Sequence, residues 1–182
     1  MQNPPPRLVS IVVTLVGPDR PGIVSAVSDK AVLHGASWAD SVMSNFAGQF
    51  AGIVQLQVKA EHCDALIAAL RALESPGMRI SVARSEEAPA TLATRRVKLD
   101  LIGHDRPGIV HSISSELALR KVSIEKLETH IVSGAMSGEQ MFQLRALLSV
   151  PAALDENELR EGLEGLANEL MVDISFDQTN AA

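Results

Sequence analysis

Apolar and polar residues alternate cleanly in "RVKLDLIG". Val97, Leu99 and Leu101 fall on one side, Lys98 and Asp100 on the other. That period of two predicts a strand with one face buried. "LVSIVVTLVG", from Leu8 to Gly17, is more continuously apolar and also reads as a strand. After each strand the period changes. Ile23, Val24, Val27 and Ala31 recur at helical spacing, as do Ile109, Val110, Ile113 and Leu117. Two β-like segments follow each helix. The first pair is "ASWADSVMSNF" and "QFAGIVQLQV", joined near "NFAGQ". The second is "VSIEKLETHIV" and "EQMFQLRALLSV", joined by "SGAMSG". Gly and Ser at both joints predict hairpins. Leu66, Leu70 and Leu73 then mark one amphipathic helix, and Leu159, Leu163, Leu166 and Leu170 another. Each copy closes on an alternating strand, with Met78, Ile80 and Val82 in the first and Val172, Ile174 and Phe176 in the second.

The pattern is therefore β-α-β-β-α-β, written twice. This predicts an α+β chain of two ferredoxin-like domains, each an antiparallel sheet with helices on one face. The expected domains are residues 7–85 and 95–178, with 86–94 as a linker inside "RSEEAPATLATRR", which Pro89 breaks. A length of 182 residues suits two small domains. The offset between copies grows from 86 at the first helices to 94 at the closing strands. The second copy therefore has extra residues in its hairpin and before its last helix.

Composition narrows the function classes. Lys and Arg divide evenly between the halves, so the net charge of -6 arises in the second half, chiefly in "LDENELREGLEGLANEL". The simplest reading of that run is a solvated helix face. No basic cluster marks a phosphate-backbone footprint, and an aromatic content of 3% disfavours a base-stacking surface. Direct nucleic-acid binding is not expected. The single cysteine, Cys63, excludes a disulfide within the chain and a thiolate metal cluster. No apolar run approaches the roughly 20 residues that span a bilayer, and "MQNPPPRLVS" lacks signal-peptide order. The expectation is a cytoplasmic protein without membrane attachment.

The strongest repeated signal is the corner between first strand and first helix. "LVGPDRPGIV" begins at Leu15 and "LIGHDRPGIV" at Leu101. Gly17 and Gly103 suit a sharp bend with positive φ. Asp19 and Asp105 suit capping of first-turn amides. Pro21 and Pro107 suit the first helical turn. Gly22 and Gly108 leave room for a close approach by backbone or ligand. The helix N-terminus behind them suits a carboxylate. Two roles are compatible with such a corner: a fold-fixing turn, and a small carboxylate or amino-acid site in which Asp19 or Asp105 meets an ammonium group.

Gly17-Pro18-Asp19-Arg20-Pro21-Gly22-Ile23-Val24 and Gly103-His104-Asp105-Arg106-Pro107-Gly108-Ile109-Val110, each inside a β-α-β-β-α-β unit, resemble the ACT domain family. The tandem arrangement resembles the glycine cleavage system transcriptional repressor group of that family. The resemblance implies paired sheets, with a small ligand, commonly an amino acid, bound between domains. The implied ligand-binding positions are Gly17, Pro18, Asp19, Arg20, Pro21, Gly22 and Ile23 in the first turn. In the second turn they are Gly103, His104, Asp105, Arg106, Pro107, Gly108 and Ile109. Ser37 and Ser123 stand at the starts of the second strands, where many amino-acid-binding members carry Asn. Serine offers one hydroxyl in place of an amide fork.

The function so implied is a non-enzymatic regulator that binds a metabolite such as glycine. It would control a protein partner, for example a transcription factor of glycine cleavage or one-carbon metabolism. The alternatives are a regulatory subunit or sensor of an amino-acid or one-carbon enzyme, and an interaction module without ligand. Homodimerisation is compatible with each. No catalytic residues, cofactor or metal are expected. His104, His111 and His130 lack ligand spacing, no G-x-S-x-G elbow is present, and "GAMSG" reads as a hairpin tip. Cys63 reads as a half-buried bystander and Trp38 as a packing residue.

Overall fold

The computed structural model describes residues 7–85, 93–133 and 139–178. Contacts divide the chain at Pro89 and Ala90 into two compact units. The first contains β1 (Leu8–Pro18), α1 (Ile23–Leu33), β2 (Ser37–Phe46), β3 (Gln49–Lys59), α2 (Cys63–Arg71) and β4 (Arg79–Arg84). The second contains β5 (Thr94–His104), α3 (Ile109–Leu119), β6 (Ser123–Ser133), β7 (Gln140–Pro151), α4 (Glu156–Leu170) and β8 (Val172–Gln178). Both sheets are antiparallel, in the orders β2-β3-β1-β4 and β6-β7-β5-β8. These are two ferredoxin-like β-α-β-β-α-β domains. The "SGAMSG" joint and the middle of the linker, residues 134–138 and 86–92, lie outside the described residues.

Each alternation drives one face of a sheet against its two helices. In the first domain Ile11, Val13 and Leu15 of β1 meet Val54, Leu56 and Val58 of β3, Val27 of α1 and Leu66 and Leu70 of α2. In the second, Val97, Leu99 and Leu101 meet Leu144 and Leu148, with Ile113, Leu117, Leu159 and Leu163 from the helices. Burying one such side chain contributes about 1.5–3 kcal/mol before ordering costs. Cys63 opens α2 and is 2% exposed, so it belongs to the core rather than to its margin.

The copies share irregularities as well as elements. The β2–β3 ladder slips between Trp38 and Asp40, and the β6–β7 ladder slips at the matching place, between Ile124 and Lys126. They differ at two connections. Ala47 and Gly48, at φ 50° and 79°, close the first hairpin as a tight turn suited to strand twist. The second hairpin is longer. The connection Ala72–Met78 joins α2 to β4, whereas only Met171 separates α4 from β8. The second helix of the second domain has taken over length that the first domain leaves as a loop.

Candidate functional site

The corner is built the same way in both domains. β1 stays paired with β3 through Gly17 opposite Phe50 and Pro18 opposite Gln49. The Asp19 amide then donates to the Gly48 carbonyl at 3.0 Å. In the second domain the Asp105 amide donates to the Gln140 carbonyl at 3.1 Å. The chain turns through Pro21-Gly22 and Pro107-Gly108, and the helices begin at Ile23 and Ile109. Gly22 and Gly108 are the N-cap residues, at φ 92° and 99°.

This geometry corrects three expectations about residue roles, those for Gly17 and Gly103, for Pro21 and Pro107, and for Asp19 and Asp105. Gly17 and Gly103 do not adopt positive φ. They are required by crowding. A Cβ on Gly17 would stand 2.8 Å from the Gly77 carbonyl oxygen, and one on Gly103 would stand 2.4 Å from Val172 Cγ1. Gly22 and Gly108 are the converse case. Nothing lies within 4 Å of an added Cβ, and the left-handed backbone is what selects glycine. Pro21 and Pro107 precede the N-cap rather than standing inside the helix. Asp19 and Asp105 do not cap it either, because the glycine N-cap intervenes and neither helix start receives a side-chain hydrogen bond. The Asp19 carboxylate instead accepts from Asn45 Nδ2, at the far end of β2, at 2.5 Å.

Within one domain, the turn and the serine at the start of the second strand lie at opposite ends of the sheet. Ser37 pairs with Gln57, which pairs with Ser10. From Ser10 to Gly17 along β1 is roughly 24 Å at about 3.4 Å per residue. Ser123, Ser149 and Arg96 repeat the arrangement. A site joining a turn to such a serine therefore cannot be built within one domain. Asn45 stands beside the turn instead, and no sequence signal distinguished it. Its counterpart, opposite Phe142 as Asn45 is opposite Phe50, is Ile131. His104 Nδ1 lies 3.7 Å from a Glu139 carboxylate oxygen. The two corners therefore share a backbone but not their polar neighbours.

The first corner also opens onto a cavity of about 190 Å³. Leu15, Ile23, Val27, Leu73, Met78 and Ile80 give it an apolar lining, and Arg20, Pro21, Gly22 and Ala26 complete it. Arg20 Nη2 donates to Ser75 Oγ at 3.5 Å, a long contact. Leu73 and Met78 were legible only as core positions of a helix and a strand.

The ACT domain family profile matches residues 10–90 and 96–177, nearly the whole chain in two segments. The chain belongs to the ACT domain family. Among solved structures, an unknown protein from Galdieria sulphuraria is 29% identical with a TM-score of 0.81, covering 96% of this chain and 100% of that one. A protein assigned provisionally as a glycine cleavage system transcriptional repressor is 19% identical with a TM-score of 0.69, covering 96% of this chain and 99% of that one. That second likeness shows the tandem ACT fold. No curated protein sequence matches the chain. Among the described residues no helix is long and apolar enough to cross a membrane.

The remaining chemistry-bearing side chains are dispersed over the ACT domains. His111 lies on α3 and His130 on β6, while His104 ends β5. Trp38 is partly buried against the first core, and its Nε1 donates to Ser41 Oγ at 3.1 Å. Among the described residues no three His, Cys, Asp or Glu side chains gather as a metal site would require. On the sheet faces turned from the helices the two ACT domains have diverged. Val12, Val42 and Ile53 border a shallow depression in the first. In the second, Arg145 pairs with Asp100 at 3.3 Å and Lys126 with Glu128 at 2.8 Å.

Proposed function

We propose that this tandem ACT protein is a non-enzymatic sensor. It binds a small metabolite of the amino-acid class at its corners and passes the bound state to a protein partner. One observation carries the reading. The same corner is built twice, and each delivers a helix N-terminus that no side chain caps. The first-turn amides of α1 and α3 therefore present partial positive charge with no acidic residue in the first turn to neutralise it. A carboxylate is the natural complement of that arrangement. Control of a transcription factor of glycine cleavage or one-carbon metabolism, with glycine as ligand, is the specific form the tandem arrangement suggests. A bound ligand would favour the conformation it fits best and shift that population.

The test is a thermal-shift screen of the full chain against amino acids and one-carbon metabolites. A ligand at 100 times its Kd adds about 2.7 kcal/mol to the stability of the state it binds. That corresponds to a rise of roughly 10 °C or more for a domain of this size. Gly22→Asp and Gly108→Asp put a carboxylate beside the amides in a backbone region that Asp tolerates. They should weaken binding about tenfold or more. Full affinity in both variants would refute the helix N-termini as the contact.

A further inference from the structure

We infer that the first domain's corner is a site for an aliphatic carboxylate, one whose hydrocarbon chain enters the cavity beneath Arg20. This rests on the sensor reading above and names the ligand class for one of its two corners. The cavity is lined by α1 on one side and by β1, β4 and the connection Ala72–Met78 on the other. At about 190 Å³ it is smaller than the roughly 300–1,000 Å³ pockets that take drug-sized ligands. It suits a chain of a few carbons. Leu15, Val27, Leu73, Met78 and Ile80 give that chain an apolar floor.

The polar side of the cavity has one sign. Arg20 is its charged lining residue and no acidic residue lines it. Among the described residues Arg20 has no carboxylate partner. Its contact is the 3.5 Å approach to Ser75 Oγ, weak enough to yield to a ligand carboxylate. The uncapped start of α1 lies next to it and adds donors of the same polarity. The site therefore asks for a carboxylate and hydrocarbon and supplies no acid of its own for an ammonium group. A branched or thioether amino acid and the corresponding 2-oxo acid share that chemistry.

The second corner has different walls. At the position of Ala26 it has Ser112, and at that of Val27 the larger Ile113. Val172, in place of Met78, packs directly over Gly103. The connection that contributes Leu73 and Ser75 in the first domain shrinks to Met171. Duplication has thus left the two corners with different walls.

The experiment is calorimetric titration of the full chain with glycine, alanine, valine, leucine, methionine and 4-methyl-2-oxopentanoate. Each buried methylene is worth about fourfold in affinity, so leucine, with four more carbons than glycine, should bind on the order of 200-fold more tightly than glycine. Ala26→Leu fills the slot and should abolish that preference. Ala26→Ser, which copies the second corner and spares folding, should reduce it several-fold. Arg20→Gln should weaken leucine and the oxo acid together by about tenfold. If the oxo acid matches leucine, the carboxylate and chain alone are read. If only the amino acids bind with the chain-length trend, the same slot is used and the ammonium is read from outside the cavity. Glycine binding with no gain for longer chains overturns the slot and leaves the sensor reading intact. So does a leucine preference that Ala26→Leu leaves unchanged. Absence of binding by every compound overturns the slot, and a blank thermal-shift screen overturns the sensor reading with it.

Discussion

The two glycines of the corner give a sharp test, because the structure assigns them different physical causes. At Gly22 an added methyl meets nothing within 4 Å, and the cost is purely conformational, at φ 92°. A left-handed backbone costs an L-residue about 1–2 kcal/mol, less for Asn. At Gly17 the backbone is ordinary, and the methyl would stand 2.8 Å from the Gly77 carbonyl and 2.9 Å from Met78 Cα. Backbone atoms yield only if β1 and β4 separate, and overpacking of this kind costs about 1–3 kcal/mol or more. Gly22→Ala should therefore lower the melting temperature of the first domain by about 5–15 °C, and Gly22→Asn by less than half of that. Gly17→Ala and Gly17→Asn should both be severe, with Asn the worse. The single tryptophan, Trp38, packs against the first core, so its fluorescence follows that domain. Circular dichroism follows both. Rescue by Asn at position 17, or Asn no better than Ala at position 22, would overturn these assignments.

Other expectations can be checked on the same variants bench. Gly165 sits in α4 with open space around it, whereas a Cβ on Gly162 would stand 2.3 Å from Arg120 Nη2. Gly165→Ala should stabilise by about 0.5–1 kcal/mol through helix propensity. Gly162→Ala should lose that gain by displacing Arg120 from Glu116, its partner at 2.6 Å; urea denaturation followed by circular dichroism compares them. Asp155 caps α4 by accepting from the Asn157 and Glu158 amides, so Asp155→Ala should cost about 1 kcal/mol in the same assay. Glu128 has its pKa lowered by the hydrogen bond and charge of Lys126. A depressed carboxylate favours the fold above its unfolded pKa, and that contribution disappears as pH falls through the folded value. Lys126→Met should move the Glu128 titration, read by NMR, up towards the ordinary glutamate range.

The order β-α-β-β-α-β and much of the core were readable from the chain alone, although Val24 and Val110, which helical spacing placed on the same stripes, are exposed. Periods of two and 3.6 residues report which side of an element is buried, and Val97, Leu99, Leu101, Ile113 and Leu117 follow them without exception. The repeat made the family readable as well, because a turn, unlike a surface, needs particular residues at particular places. What periodicity cannot carry is contact between distant segments. The reason for Gly17 lies sixty residues on, at Gly77 and Met78, and the partner of Asp19 is Asn45. Glycine is selected equally by crowding and by left-handed backbone, and a sequence shows only that it was selected. The cavity arises because α2 ends early and Ala72–Met78 arches over the corner. In the second copy the helix is longer, the connection is Met171 alone, and Val172 stands over Gly103. Sequence determined that there are two similar corners. Only the tertiary structure decided that they are not the same corner, because the walls of each come from elements whose positions are set by packing rather than by neighbours in the chain.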